Sequence, residues 1–131
     1  MASLTDELLQ LNQKLLTAIV SGDWATYESL CDPSITCFEA EARGQLVGGM
    51  AFHKYCFDIP GSPQKPAKVV SMTQPHVRLL GDSGAVICYV RLNQSLDANG
   101  GPQTSKVEET RVWQKINGAW KHVHFHRSTN T

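Results

Sequence analysis

The chain has 131 residues, enough for one domain whose core needs no metal or disulfide staple. Hydrophobic residues make up 41% and charged residues 18%, a globular composition that excludes a disordered chain. Lys plus Arg equal Asp plus Glu at 12 each, so a formal net charge of zero offers no footprint for nucleic acid or a membrane surface.

Leu4, Leu8, Leu11, Leu15 and Ile19 recur at spacings of three and four. That stripe predicts an amphipathic helix over about the first twenty residues. Thr5 and Asp6 supply capping oxygens at its start, and Gly22 stops it. Asp23 caps a second helix, Trp24 to about Leu30, which Asp32-Pro33 ends. Ile35–Phe38 and Leu46-Val47 read as short strands, and Gly49–Phe57 as a brief helix. Pro60, Gly61, Pro63 and Pro66 mark a loop from Ile59 to about Ala67.

Beyond it the pattern changes to period two. Strands are expected near Lys68–Leu80, Gly84–Gln94, Thr104–Lys115 and Trp120–Arg127. Gly81–Gly84 and Asp97–Gly101 are turn-rich, and Asn117-Gly118 suits a type I′ hairpin. Four hairpin-linked strands make an antiparallel sheet whose one face the front helices must cover. The fold class is α+β, a long N-terminal helix packed in a curved antiparallel sheet.

The start, MASLTDELLQLNQ, has neither the basic flank nor the apolar centre of a signal peptide. No apolar run approaches the roughly 18 residues of a membrane span. A cytoplasmic protein is the expectation. The four cysteines, Cys31, Cys37, Cys56 and Cys88, form no C-x-x-C pair, and each sits in or beside an apolar stretch. They read as small buried hydrophobes in a reducing compartment. No phosphate loop, dinucleotide fingerprint or nucleophile elbow is present, and no cofactor or metal is expected.

Strand parity sorts the polar residues. Ala85, Ile87, Tyr89 and Arg91 share one face of their strand. Val107, Glu109, Arg111 and Trp113 share a face of the next. On the last strand, alternation puts Val123, Phe125 and Arg127 on one side and His122, His124 and His126 on the other. Three arginines thus fall among apolar side chains. They line an anion pocket at the open end of a curved sheet, or they pair with Glu39, Glu41, Glu108 or Glu109 as structural ion pairs. The histidine row reads as a solvated face or an oligomer interface; no cysteine or carboxylate spacing completes a metal site. His53, between Phe52 and Phe57, reads as a core histidine. Glu39 and Glu41 are candidate general bases at the pocket mouth.

Several segments occur in a telling order: Cys31-Asp32-Pro33, Phe38-Glu39-Ala40-Glu41-Ala42, Gly44–Val47, Met50–His53, Gln74–Val77, Tyr89–Leu92, Glu108–Trp113 and His124–Arg127. Together they resemble the association (hub) domain of calcium/calmodulin-dependent protein kinase II, over about Leu8 to Arg127. The resemblance makes 1–131 a single hub domain with the cone fold of nuclear transport factor 2 and ketosteroid isomerase. It implies self-assembly into two stacked rings, dodecameric or tetradecameric, and a scaffold rather than an enzyme. It also implies a cavity for small carboxylates or acidic peptide groups. By matching motif, its ligand-binding residues are His53, Arg91, Arg111 and Arg127; separately, Glu39 and Glu109 are candidate cavity carboxylates. Arg111→Ala and Arg127→Ala are expected to abolish carboxylate binding and leave the fold intact. Hub domains of kinase-bearing subunits are the further partners implied. Direct calmodulin binding is not expected, because Lys14 is the first helix's sole basic residue.

Two departures stand out. The family's cavity-flap tryptophan falls near Gly61 here, and the Arg of its Pro-Arg-Thr segment is Gln103. No kinase domain or calmodulin-binding segment is present. The natural-looking start, Met1-Ala2-Ser3, favours a free-standing hub-like protein over a truncated kinase. The alternative on the same cone is a small-molecule isomerase or dehydratase, with His53 and Glu39 as its acid–base pair.

Overall fold

The leucine stripe becomes the buried side of α1 (Leu4–Ser21), where Leu8, Leu15 and Leu16 are fully buried. Leu4, Leu11 and Ile19 pack against the same core from its margin. The structure, a computed structural model, describes residues 3–58 and 69–128. The capping residue of α1 is Ser3, whose side chain accepts from the Asp6 N–H at 3.1 Å. Thr5 and Asp6 lie inside the first turn, two and three residues past the capping position. Gly22 ends the helix with φ of 71°, a left-handed conformation that glycine adopts without a Cβ penalty. Asp23 caps α2 (Trp24–Leu30) through the Thr26 N–H.

The chain then turns directly into β1 (Cys31–Phe38), so Asp32-Pro33 lies within a strand rather than after a helix. The proline is tolerated because β1 pairs with the last strand at Cys31 and again only from Thr36 onward. A 3₁₀ turn (Ala40–Ala42) leads to the two-residue β2 (Val47–Gly48) and to α3 (Ala51–Asp58). The expected loop from Ile59 to Ala67, including Gly61, falls outside the described residues. Four long strands follow: β3 (Val69–Leu80), β4 (Gly84–Leu96), β5 (Pro102–Ile116) and β6 (Ala119–Arg127). Asn117 and Gly118 have φ of 51° and 83°, as a type I′ hairpin requires.

The sheet has six strands in the order β2-β1-β6-β5-β4-β3. The four long strands are antiparallel, as the hairpin signals predict. β1 adds to β6 in parallel, which a hairpin cannot do and the long intervening chain allows. The helices cover one face. Ala85, Ile87, Tyr89 and Arg91 of β4 and Glu109, Arg111 and Trp113 of β5 all point into that covered side, as alternation dictates. Trp113 Nε1 donates to Asn12 Oδ1 at 3.0 Å and ties the sheet to α1.

Two expectations fail here. Val112 pairs with His124 and Trp113 with His122, so Val123 is an extra residue in β6. The bulge reverses side-chain parity at that point. Before it Trp120 and His122 face the helices, and after it Phe125 does. The row of three outward histidines therefore does not exist. His122 is fully buried, His124 is half-buried and His126 is exposed. Cys31 and Cys37 are buried, but Cys56 is half-buried and Cys88 is exposed. Cys88 alternates with the inward Ile87 and Tyr89, so β4 carries it outward. No helix among the described residues is long and apolar enough to cross a membrane.

Candidate functional site

The sheet register brings the polar residues of the covered face together. Glu109 pairs across β5 with Tyr89 on one side and Arg127 on the other. Arg111, two residues on, points the same way. Glu109 accepts from Tyr89 Oη at 2.5 Å, Arg91 Nη1 at 3.1 Å, Arg111 Nε at 3.2 Å and Arg111 Nη2 at 3.1 Å. Arg111 Nε also donates to Tyr89 Oη at 2.9 Å, and Arg91 Nε to Asn93 Oδ1 at 3.0 Å. Burial alone would raise the Glu109 pKa. The two guanidinium groups outweigh it and hold the carboxyl at about 2. The same carboxylate raises Arg111, so this buried pair stays ionised.

Arg111 makes two further contacts. Its guanidinium carbon lies 4.3 Å from the centre of the Phe125 ring, a cation–π geometry. Its Nη1 lies 3.3 Å from His122 Nε2. A guanidinium only donates, so Nε2 accepts and the His122 proton sits on Nδ1. That nitrogen lies 3.5 Å from Cys31 Sγ. Burial first, and the Arg111 charge second, push the His122 pKa well below its usual value. The imidazole also stacks on Phe125, with centroids 5.5 Å apart.

His53 reaches the cluster from α3. Its Nδ1 hydrogen-bonds the Tyr27 hydroxyl at 2.7 Å, and its Nε2 lies 3.7 Å from Cys37 Sγ. Burial lowers its pKa to about 4, with Arg111 contributing. Burial also pushes the Cys31 and Cys37 thiols up to about 12. Neutral imidazoles and protonated thiols thus surround a permanently charged core.

Arg127 stands at the rim, where β6 ends. Its Nη2 hydrogen-bonds Glu41 and lies 3.7 Å from Glu39. Its Nε is buried, with no hydrogen-bond partner among the described residues. Burial raises the Glu39 pKa, and neighbouring Glu41 raises it further, against the pull of Arg127. Burial pushes the Glu41 carboxyl up, but its bond to Arg127, a backbone hydrogen bond and the charges of Arg127 and Arg91 together hold it low.

All six residues expected from the sequence lie on or around this cluster, but they do not act alike. Arg91 and Arg111 are ion-paired to Glu109, which was one of the two readings open to them. Arg127 pairs with Glu39 and Glu41 instead. His53 is not coupled to Glu39; its two ring nitrogens meet Tyr27 and Cys37. Tyr89 was legible by parity as an inward residue, though nothing marked it as a ligand of Glu109. Tyr27 carried only a helix-face signal. His122 was placed on the wrong side, since nothing in the sequence marks the bulge. Among the described residues, no group of three or more His, Cys, Asp or Glu side chains is arranged to hold a metal ion.

Comparison with known proteins places this arrangement. Residues 5–131 match the family model of the calcium/calmodulin dependent protein kinase II association domain. The delta subunit of that kinase from Oryctolagus cuniculus is 43% identical over 122 residues, which cover 93% of this chain. Those residues span only 23% of the kinase subunit. The hub homology domain of Chlamydomonas reinhardtii superposes with a TM-score of 0.91 at 52% identity, covering 98% of this chain and 100% of that one. The association domain of the C. elegans kinase gives 0.88 at 42% identity, covering 95% of each chain. A nuclear transport factor 2-like protein of Salmonella enterica, 22% identical, shares the fold with a TM-score of 0.71, covering 95% of this chain and 89% of that one. The cone of α1 against the curved sheet is thus the nuclear transport factor 2-like fold, and the chain belongs to the calcium/calmodulin-dependent protein kinase II association domain family.

Proposed function

We propose that the chain is an assembly scaffold whose copies close into stacked rings like those of the kinase hub. The family match over residues 5–131 carries this reading, because an association domain is a non-catalytic assembly module. Two features support it. Large apolar side chains remain exposed on the single chain, among them Leu79 and Leu80 at one end of β3 and Tyr55 on α3. Rings also follow when a heterologous contact repeats and closes. Mixed rings with kinase-bearing hub subunits belong to the same proposal, as does a cytoplasmic setting. The arginine cluster is the proposed site for a small carboxylate or an acidic peptide group, with Arg127 offering the free donor. The enzyme alternative has little support, because His53 is committed to Tyr27 and Cys37, and arginines do not exchange protons near neutral pH.

Light scattering after size exclusion tests the scaffold directly. A mass many times the monomer's 14.4 kDa is expected. A monomer or simple dimer at micromolar concentration overturns the ring reading and leaves the fold alone.

A further inference from the structure

Arg127 is only half answered by the protein. Its Nη2 meets Glu41 and Glu39, while its buried Nε has no hydrogen-bond partner among the described residues. The two carboxylates come from one short stretch, Glu39 and the 3₁₀ turn Ala40–Ala42. Their settings differ. The Glu41 side chain is 51% exposed and that of Glu39 only 14%. Among the described residues, titratable groups on three elements interact with Glu39. Cys37 Sγ lies 4.0 Å away on β1, Cys56 comes from α3 and Tyr27 from α2. Burial raises all three, which keeps them neutral. The charged neighbours are Glu41, Arg127, Arg111 and Glu109.

We propose that Glu39 and Glu41 are an internal stand-in for a ligand carboxylate on Arg127, and that a small carboxylate replaces them with uptake of one proton at Glu39. This rests on the arginine site proposed above and adds its regulation. The charges balance. The ligand brings one negative charge and the proton on Glu39 removes one, so the summed charge of Arg127, Glu39, Glu41 and the ligand is unchanged, while the guanidinium exchanges two carboxylates for one. Glu41 turns into the solvent that it already half faces. Burial and the Glu41 charge both favour a proton on Glu39. Glu109 cannot take this part, because it is buried and fixed by four hydrogen bonds.

Calorimetric titration of the whole chain with benzoate, in buffers of different ionisation enthalpy, reads both affinity and proton uptake. At neutral pH the unmodified chain should take up close to one proton on binding. Its affinity should fall by up to about tenfold per pH unit above the Glu39 titration. Glu39→Gln should bind benzoate on the order of tenfold more tightly at neutral pH, with no proton uptake. pH-independent binding without proton uptake, or a Glu39→Gln affinity no higher than the original, overturns the exchange and leaves the arginine site standing. Undiminished binding in folded Arg127→Ala overturns the arginine site and the exchange with it. So does the absence of benzoate binding in both the original and Glu39→Gln.

Discussion

Two arginine clusters share one face of the sheet, and they are completed to different degrees. The interior one, Arg91–Glu109–Arg111, is sealed: Glu109 and Arg111 are 2% and 1% exposed, and the carboxylate accepts four hydrogen bonds. The rim one, Glu39–Arg127–Glu41, is open to solvent on one side, and a guanidinium N–H finds no partner among the described residues. The same residue types therefore do different work. Desolvation makes the first cluster indispensable to the fold, since neither charge can be left alone. Partial solvation leaves the second free to exchange partners.

The sharpest way to break this contrast is to remove one arginine from each cluster. Arg111→Ala strands the Glu109 carboxylate with Arg91 as its remaining charged partner and should lose about 3–5 kcal/mol of stability. Arg127→Ala leaves Glu41 half in water and Glu39, though mostly buried, free to take up a proton, and should lose less, about 1 kcal/mol. Denaturant unfolding of both variants reads the difference. Equal losses would mean that the clusters are alike. The same measurements test the sequence-based expectation that either substitution leaves the fold intact. An Arg111 variant that binds no carboxylate would report on folding rather than on the site.

The histidines of β6 give a second, smaller contrast, and they also show where reading by pattern stops. Most of the fold was legible because it rests on local rules. The leucine spacing set α1, Gly22 and Asp23 divided the helices, and Asn117-Gly118 set the last hairpin. Strand parity put Arg91, Glu109 and Arg111 on the covered face without any structure. Parity is a counting rule, however, and one inserted residue inverts it. Val123 is that residue, and nothing in Lys121–His126 marks it; the bulge there turns both His122 and Phe125 toward the covered face. Cys88 was misread for the opposite reason: its apolar surroundings were weighed and its parity was not. The pairing of Arg127 with Glu39 and Glu41 was hidden by sequence distance and by a 3₁₀ turn too short for any periodic signal. His122→Ala empties a buried position stacked on Phe125 and facing Arg111, and should lose about 2–4 kcal/mol. His124→Ala removes a half-buried ring bonded to Thr36 and should lose under about 1 kcal/mol. Similar losses would return His122 to the outer face.

Acid separates the parts of the buried cluster more gently. His53 is depressed to about 4 in the folded chain, so the unfolded chain takes its proton first. The stability lent by a neutral His53 is complete above about pH 6.5 and declines as pH falls toward 4. His122 shifts in the same direction and steepens the decline. Glu109, held at about 2, acts in a lower window: its contribution is complete above about pH 4.5 and is lost as pH falls toward 2. Melting temperature followed from about pH 7.5 to 3 should therefore fall in two stages, histidines first and the carboxylate second. Between about pH 6.5 and 5.5 the loss should be on the order of 1 kcal/mol. His53→Gln keeps a polar partner for Tyr27 and cannot titrate, so it should flatten the upper stage and leave the lower one in place. An upper stage unchanged in His53→Gln would assign it to His122 alone. A profile flat down to about pH 4.5 would mean that both imidazoles can accept a proton beside Arg111, and that the interior cluster is wetter than its burial implies.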